Sequence, residues 1–350
     1  MAFSAILKPS DYFNTKLYTG NGSTQTISGL NFQPDFTWIK SRSNATEHSQ
    51  FDSVRGATKM IASSTNEFEQ TVPTMLTAWT SDGFSLGSYS SVNGSGYSQV
   101  SWNWKGGTTS GIATNGTTTI TPTGYSFNQT NGFSAIAYTG NGVDGAYLPH
   151  GLGKSPKVMI VKRLTDAGWD WYVYHVALGN QKYMQLNTTN AISGTDGMWG
   201  SFTPDTVNMK MSNDNQIGLS GKYYIMYCFA DVQGFSKMGS YTGNGNADGP
   251  FVYTGFKPAF VIMKTSSIAS NDWVMFDNKR LGYNVSNDSL KPNSASTEQT
   301  GLDIDLLSNG FKMRGTQNDF NGSGGNYIYM AFAEAPFVAN SGESIPTTAR

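Results

Sequence analysis

The chain has 350 residues with 23 basic and 24 acidic side chains and a formal net charge of −1, so charge gives no case for nucleic acid or an acidic membrane surface as a partner. Charged residues are 13% of the chain, against a usual value near ~25%, while aromatics reach 13% and glycine 40 residues. The single cysteine, Cys228, excludes a disulfide framework, and no apolar run approaches the ~20 residues of a membrane span.

The first stretch, "MAFSAILKPSDYF" (1–13), reads as a short N-terminal arm. It has neither a basic n-region nor a small-residue cleavage site, so no secretion signal is expected. Then "YTGNG" appears at Tyr18 to Gly22, again at Tyr138 to Gly142 and a third time at Tyr241 to Gly245. A glycine-rich chain repeats short words by accident, but a duplicated folding unit also preserves its internal spacing. From the tyrosine to the proline opening an apolar run is 16 residues (Tyr18 to Pro34), 18 (Tyr138 to Pro156) and 17 (Tyr241 to Pro258). Six residues beyond each proline a lysine closes the run: "PDFTWIK" to Lys40, "PKVMIVK" to Lys162 and "PAFVIMK" to Lys264. A W-x-x-aromatic-polar word follows in two copies, "WYVYH" (Trp171 to His175) and "WVMFD" (Trp273 to Asp277), and the first copy keeps only "FD" at Phe51 and Asp52. Each copy ends in a glycine-rich turn and an aromatic run. The spacing predicts three similar units at 14–107, 126–233 and 234–337, a low-complexity linker at 108–125 and a C-terminal tail at 338–350.

Within each unit the segments are short, rich in Val, Ile, Tyr, Phe and Trp, and bounded by Gly, Asn, Asp or Pro, which is the signature of strands. The expected fold class is all-β: three β-sandwich units in tandem, of jelly-roll or concanavalin-like type. In "PDFTWIK" and its sisters both alternating faces are apolar, so this strand is expected at the centre of a sheet, with its lysine snorkelling at the rim. The stretches "MIASSTNEFEQTVPTMLTAW" and "STEQTGLDIDLLSNGF" have room for a helical turn or two, interrupted by Pro73 and Gly301. "TGNG" supplies residues that tolerate positive φ in a tight connection, its tyrosine packing at the start of the first strand. Gly20, Gly140 and Gly243 should then be equivalent.

Chemical motifs are sparse. "GNGVDG" (Gly140 to Gly145) matches a dinucleotide fingerprint in letters only, because "AYLPHGLG" follows where a helix would have to start. His48, His150 and His175 lack metal-ligand spacing, so neither a metal nor another cofactor is expected. Asp52 and Asp277 precede Arg55 and Arg280 by three residues, which predicts a local exposed ion pair of ~0–1 kcal/mol. Carboxylate pairs such as Asp166 with Asp170 or Asp303 with Asp305 are what glycan cleavage would need, but neither recurs between copies, and the expectation is a protein without enzymatic activity. Trp169, Trp171, Trp199 and Trp273 stand beside Asp, Asn or Gly, the company of an aromatic platform for a sugar ring. With Asp170 they are the candidate binding residues. Trp171 and Trp273 repeat in position and read first as core, whereas Trp169 and Trp199 have no counterparts.

The runs "FQPDFTWIKSRSN…FDSVRG", "GLGKSPKVMIVKR…WYVYH…LNTT", "YTGNGNADGPFVYTGFKPAFVIMK…W…FDNKR" and "YIYMAFAEAPF", with "PTTAR" at the end, resemble a family of tailed-bacteriophage proteins frequent in marine phages, over about Asn14 to Phe337. The resemblance implies a virion component with tail-fibre-like, concanavalin-like repeats and no agreed catalytic residues. It implies other virion proteins as partners, a host surface polysaccharide as ligand, no membrane insertion, and, from phage habit, a homotrimer released with the virion by lysis. Two functions compete: a receptor-binding module at a tail or fibre tip, and a capsid decoration, cement or head-appendage protein. A polysaccharide depolymerase ranks behind both.

Overall fold

The computed structural model describes residues 4, 6–194, 198–199 and 203–336. The arm's first residues and the tail therefore lie outside the described residues. The chain is all-β, as its sequence predicts. Its secondary structure is antiparallel strands apart from short turns of helix at Pro9–Asp11, Ser90–Asn93 and Val176–Leu178. The two stretches offered as helical hold strands instead: Lys59–Ala62 and Leu76–Thr80 in one, Ile304–Leu307 in the other.

One strand order occurs three times. Phe13–Thr19, Ser98–Trp104, Phe36–Ser41 and Ser49–Asp52 lie side by side in that order, as do Phe133–Thr139, Tyr223–Phe229, Val158–Arg163 and Trp171–His175. The third set is Ser236–Thr242, Asn326–Pro336, Phe256–Thr265 and Val274–Asp277. The proline-to-lysine strand is internal each time and buried along its whole length. A smaller sheet covers one face of each large sheet. These pairs enclose three separate cores, built around Ile39, Phe51 and Phe84, around Met159, Val161 and Met209, and around Val261, Met263 and Phe311.

The opposite faces of the large sheets meet one another in a fourth core. Trp38, Trp102 and Trp104 of the first sheet, Tyr227 and Phe229 of the second, and Phe260 and Phe332 of the third belong to one cluster. The rings touch across the joints, Phe36 to Tyr227 at 4.2 Å and Trp104 to Phe332 at 5.5 Å between centroids. The two apolar faces of "FTWIK" thus have two different covers: its own small sheet, and the other large sheets. Sandwiches strung one after another would leave the second face in water, at ~25 cal/mol for each Å² of apolar surface.

The joints close into a ring. Glu69 N donates to Leu164 O at 3.2 Å, Ile192 N to Ser266 O at 2.9 Å and Glu298 N to Arg42 O at 2.9 Å. Each acceptor stands two residues after one of the repeated lysines, so the bond recurs at the second-to-first, third-to-second and first-to-third contacts. The lysines themselves are buried, not snorkelling at a rim. Lys162 Nζ donates to the carbonyls of Asn66 and Trp169, and Lys264 Nζ to those of Thr189 and Asn271, each set spanning a joint. Lys40 Nζ bonds the carbonyls of Ser41 and Asn44 in its own segment. Burial lowers all three ammonium groups to about 8.

The "YTGNG" turns are equivalent in detail. The tyrosine hydroxyls donate to Val92 O, Ile217 O and Phe320 O at 2.6–2.7 Å, and the residues close their strands instead of opening them. The first glycine packs on backbone: a Cβ on Gly20, Gly140 or Gly243 would collide with the carbonyl of Gly94, Leu219 or Gly322. The second glycine, at 22, 142 and 245, has φ of 65–70°.

Candidate functional site

The sequence-predicted platform residues are not brought together. Trp171 and Trp273 are buried, 1% and 3% exposed, and their indole nitrogens donate across the joints to Ala62 O at 2.8 Å and Gln185 O at 2.9 Å. Trp199 is 1% exposed in the second peripheral core, its ring edge-on to Tyr174. Rings so enclosed present no face to a sugar, and these three residues are structural. Trp169 is half-buried, and the Arg163 guanidinium stacks over its ring at 4.5 Å. Asp170 accepts from Gln185 at 2.6 Å and Asn187 at 2.7 Å, so it clamps a loop. Its counterpart Asp272 does the same with Lys291 and Asn293.

The other predicted pairs are also structural. Asp52–Arg55 and Asp277–Arg280 do form ion pairs at 2.6 Å, but buried, not exposed. Tyr227 donates to Asp52 and Trp102 to Asp277, from the neighbouring sheet each time. At the matching place in the second sheet, His175 meets Tyr329 O of the third at 3.1 Å. Burial lowers His150 and His175 to about 4 and holds His48 well below its usual range. The Cys228 thiol is pushed up to about 12 by burial. Among the described residues no three His, Cys, Asp or Glu side chains gather as a metal site, and no helix is long and apolar enough to cross a membrane.

A candidate site lies at the joint of the first and third segments. A cleft of about 490 Å³ lies between the strands Ser49–Asp52 and Lys59–Ala62, the loop through Phe68 and the helical turn after Tyr89, with Ala295 of the third segment at its wall. Small-molecule sites span ~300–1,000 Å³. Two aromatic rings stand at it with large exposed areas, Phe68 at 44% and Tyr89 at 43%. Glu47 and Glu67 supply carboxylates, and the Ser64 hydroxyl donates to Glu47. The hydroxyls of Thr46, Ser49 and Ser91 are enclosed behind the wall with no protein partner, an unusual state for buried hydroxyls. The polar groups that the cleft presents at its surface besides the carboxylates are those of Gln70 and Ser90, both exposed.

The strand register explains why the cleft opens here. Ser49 pairs with Ile39, and the residues in that place in the other sheets are Tyr172, opposite Val161, and Val274, opposite Met263. Next to Ser49 the strand partner is Ala62, as Gln185 is next to Tyr172. Two residues earlier stand Met60 and Tyr183. In the second sheet Tyr172 and Tyr183 pack ring against ring at 5.2 Å; in the first, serine and methionine leave that volume open. A second cleft, of about 500 Å³ beside Asp35 and Lys105, has no exposed ring, and Asp35 is taken up by Ser53, Ser126 and the Gly106 N–H.

Sequence reasoning missed this cleft, since its makers are small or common residues. The usable signal was the alignment itself, which places Ser49 and Met60 where another copy has two tyrosines. Residues 8–336 match the family model described as "Domain of unknown function (DUF7483)", and the chain belongs to that family. No curated protein and no solved structure matches it.

Proposed function

We propose that this member of the DUF7483 family is a non-enzymatic bacteriophage virion protein of the tail-fibre or tail-tip type, which recognises a host surface glycan through the cleft beside Phe68 and Tyr89. The observation that carries the glycan reading is the composition of that cleft: two exposed rings to stack on the apolar faces of a sugar, with the exposed Gln70 and Ser90 side chains and two carboxylates to bond its edges. The phage assignment rests on the repeated motifs of the sequence. A rigid all-β ring suits a particle surface, where several weak sites combine by multivalency. On this reading the protein is made in the host cytoplasm, joins other virion proteins as a homotrimer, and leaves by lysis.

The deciding experiment measures binding of the fluorescently labelled protein to intact host cells, with a strain lacking surface polysaccharide as control. Binding to the first and not the second supports the adhesin reading; equal or absent binding removes it. Light scattering on the same sample reports the oligomer, and a monomer mass removes the trimer. A capsid decoration or cement role is the second reading. It is favoured by the outer face of the strand Phe251–Tyr253, where Phe251 is 45% and Tyr253 56% exposed, an apolar pair suited to a protein partner. Release of sugar fragments from the polysaccharide would instead mark a depolymerase.

A further inference from the structure

We infer that the cleft selects a sugar carrying a free ammonium group, such as an unacetylated amino sugar, over its neutral counterpart and rejects acidic sugars. The inference rests on the glycan reading and goes beyond it to ligand class. Glu47 and Glu67 line the cleft, and no Lys, Arg or His lines it with them. The cations nearby are engaged elsewhere. Arg55 and Lys59 pair with Glu69, at 3.1 Å and 3.5 Å. Lys40 and Lys162 lie behind the wall and act at a distance on Glu47 and Glu67 respectively, but both Nζ atoms are bonded to backbone carbonyls. A ligand in the cleft therefore meets two carboxylates and two ring faces. Carboxylates attract an ammonium directly, and aromatic faces attract it through their quadrupole. A ligand carboxylate meets like charge at both positions. The exposed polar side chains of Gln70 and Ser90, which also line the cleft, distinguish a polyol from a simple amine, because each can donate to and accept from a sugar hydroxyl.

The test is calorimetric titration of the full chain at pH 6 and low salt with three probes: the glucosamine disaccharide, its N-acetylated form and digalacturonic acid. The amine form should bind at least tenfold more tightly than the acetylated form, which is about 1.4 kcal/mol, and the acid weakest. Raising the salt should narrow the gap by screening. Glu67 is exposed, so Glu67→Gln should fold normally, and it should narrow the gap between the amine and the acetylated form at least threefold without weakening the latter. Ser49→Tyr should abolish binding of both. Equal binding of amine and acetylated sugar, tighter binding of the acid, or a preference unchanged by Glu67→Gln overturns the selectivity and leaves the glycan reading standing. Amine binding that survives Ser49→Tyr places the attraction outside the cleft and overturns the inference. Failure of all three sugars to bind takes the glycan reading down with it.

Discussion

The first and second large sheets share a frame and differ in filling. Both place a buried lysine against carbonyls, donate the hydroxyl of the tyrosine before TGNG to a distant carbonyl, Val92 O or Ile217 O, and make a joint hydrogen bond two residues after the lysine. At the strand edge beside that frame one has Ser49 and Met60 and the other Tyr172 and Tyr183. Backbone geometry is thus held by residues that cannot vary without breaking bonds, whereas the volume above the sheet is set by side chains free to be large or small. A cleft therefore opens in one copy while the joints of the ring stay as they are in the others.

The largest effect should come from carving the filled side. Tyr172 is buried, at 5% exposure, and packed on Tyr183, so Tyr172→Ser should cost about 3–5 kcal/mol, the range for removing a large aromatic side chain from a core. Urea unfolding checks it; a loss under about 1 kcal/mol would mean that the two sheets do not differ in packing as described. The converse change, Ser49→Tyr, pushes a ring out of a fully buried position into the cleft and should cost about 1–3 kcal/mol, the range for small-to-large substitutions in a packed core, while removing glycan binding. If binding persists with the cleft filled, the comparison has picked the wrong feature.

The shared frame was largely legible in the sequence and the filling was not. Gly20, Gly140 and Gly243 are forced by close backbone, Tyr18, Tyr138 and Tyr241 by one hydroxyl bond each, and such constraints leave fixed spacing behind. The internal position of "FTWIK" followed from apolar residues on both faces. What covers the second face was not legible, because a strand's pattern states that it is buried and not by what. The lysines misled for a related reason: a lysine ending an apolar run is ordinarily a rim residue, and what lets Lys162 and Lys264 stay inside is a carbonyl of the following loop together with one from across the joint. His48 hid as well. It stands four residues before Asp52, as Trp171 does before His175 and Trp273 before Asp277, but a histidine there matched no tryptophan word. It accepts from Trp38 Nε1 at 2.8 Å, with the backbone of Lys291 against its ring.

The buried titratable groups give a smaller effect that tests the frame by itself. His150 and His175, lowered to about 4, are neutral in the folded chain, while an unfolded histidine charges near ~6.5. The histidine contribution to stability is therefore complete above pH 6.5 and should be lost as the pH drops toward 4, because the unfolded chain binds more protons in that range. The three lysines, lowered to about 8, work in the same direction at higher pH: between about 8 and the unfolded value near ~10.4 the folded chain has already released protons, so stability should rise. Above that, Tyr18, Tyr138 and Tyr241, raised well above 10 by burial, reverse the slope, because the unfolded chain ionises first. The urea midpoint should climb from pH 4 to about pH 6.5, climb again from about 8 to 10, and then decline. A midpoint that falls between pH 8 and 10 would show that the lysines stay charged in their carbonyl cages.

The smallest effect should belong to Trp169. Its place beside Asp170 suggested a platform, yet the exposed-looking ring already has a partner: the Arg163 guanidinium lies over it, and Arg163 is itself tied to Asp166, which also holds Lys222 at 2.9 Å. Asp166 is exposed, and its carboxyl is lowered by its bonds to Lys222 and Arg163. Trp169→Ala removes one stacked cation and leaves the carbonyl that Lys162 bonds, so the cost should stay near ~0.5–1 kcal/mol, with glycan binding unchanged within about twofold. A tenfold loss of glycan binding in Trp169→Ala, alongside full binding in Ser49→Tyr, would reverse the assignment of the two regions and make the second sheet, not the first, the one that carries the site.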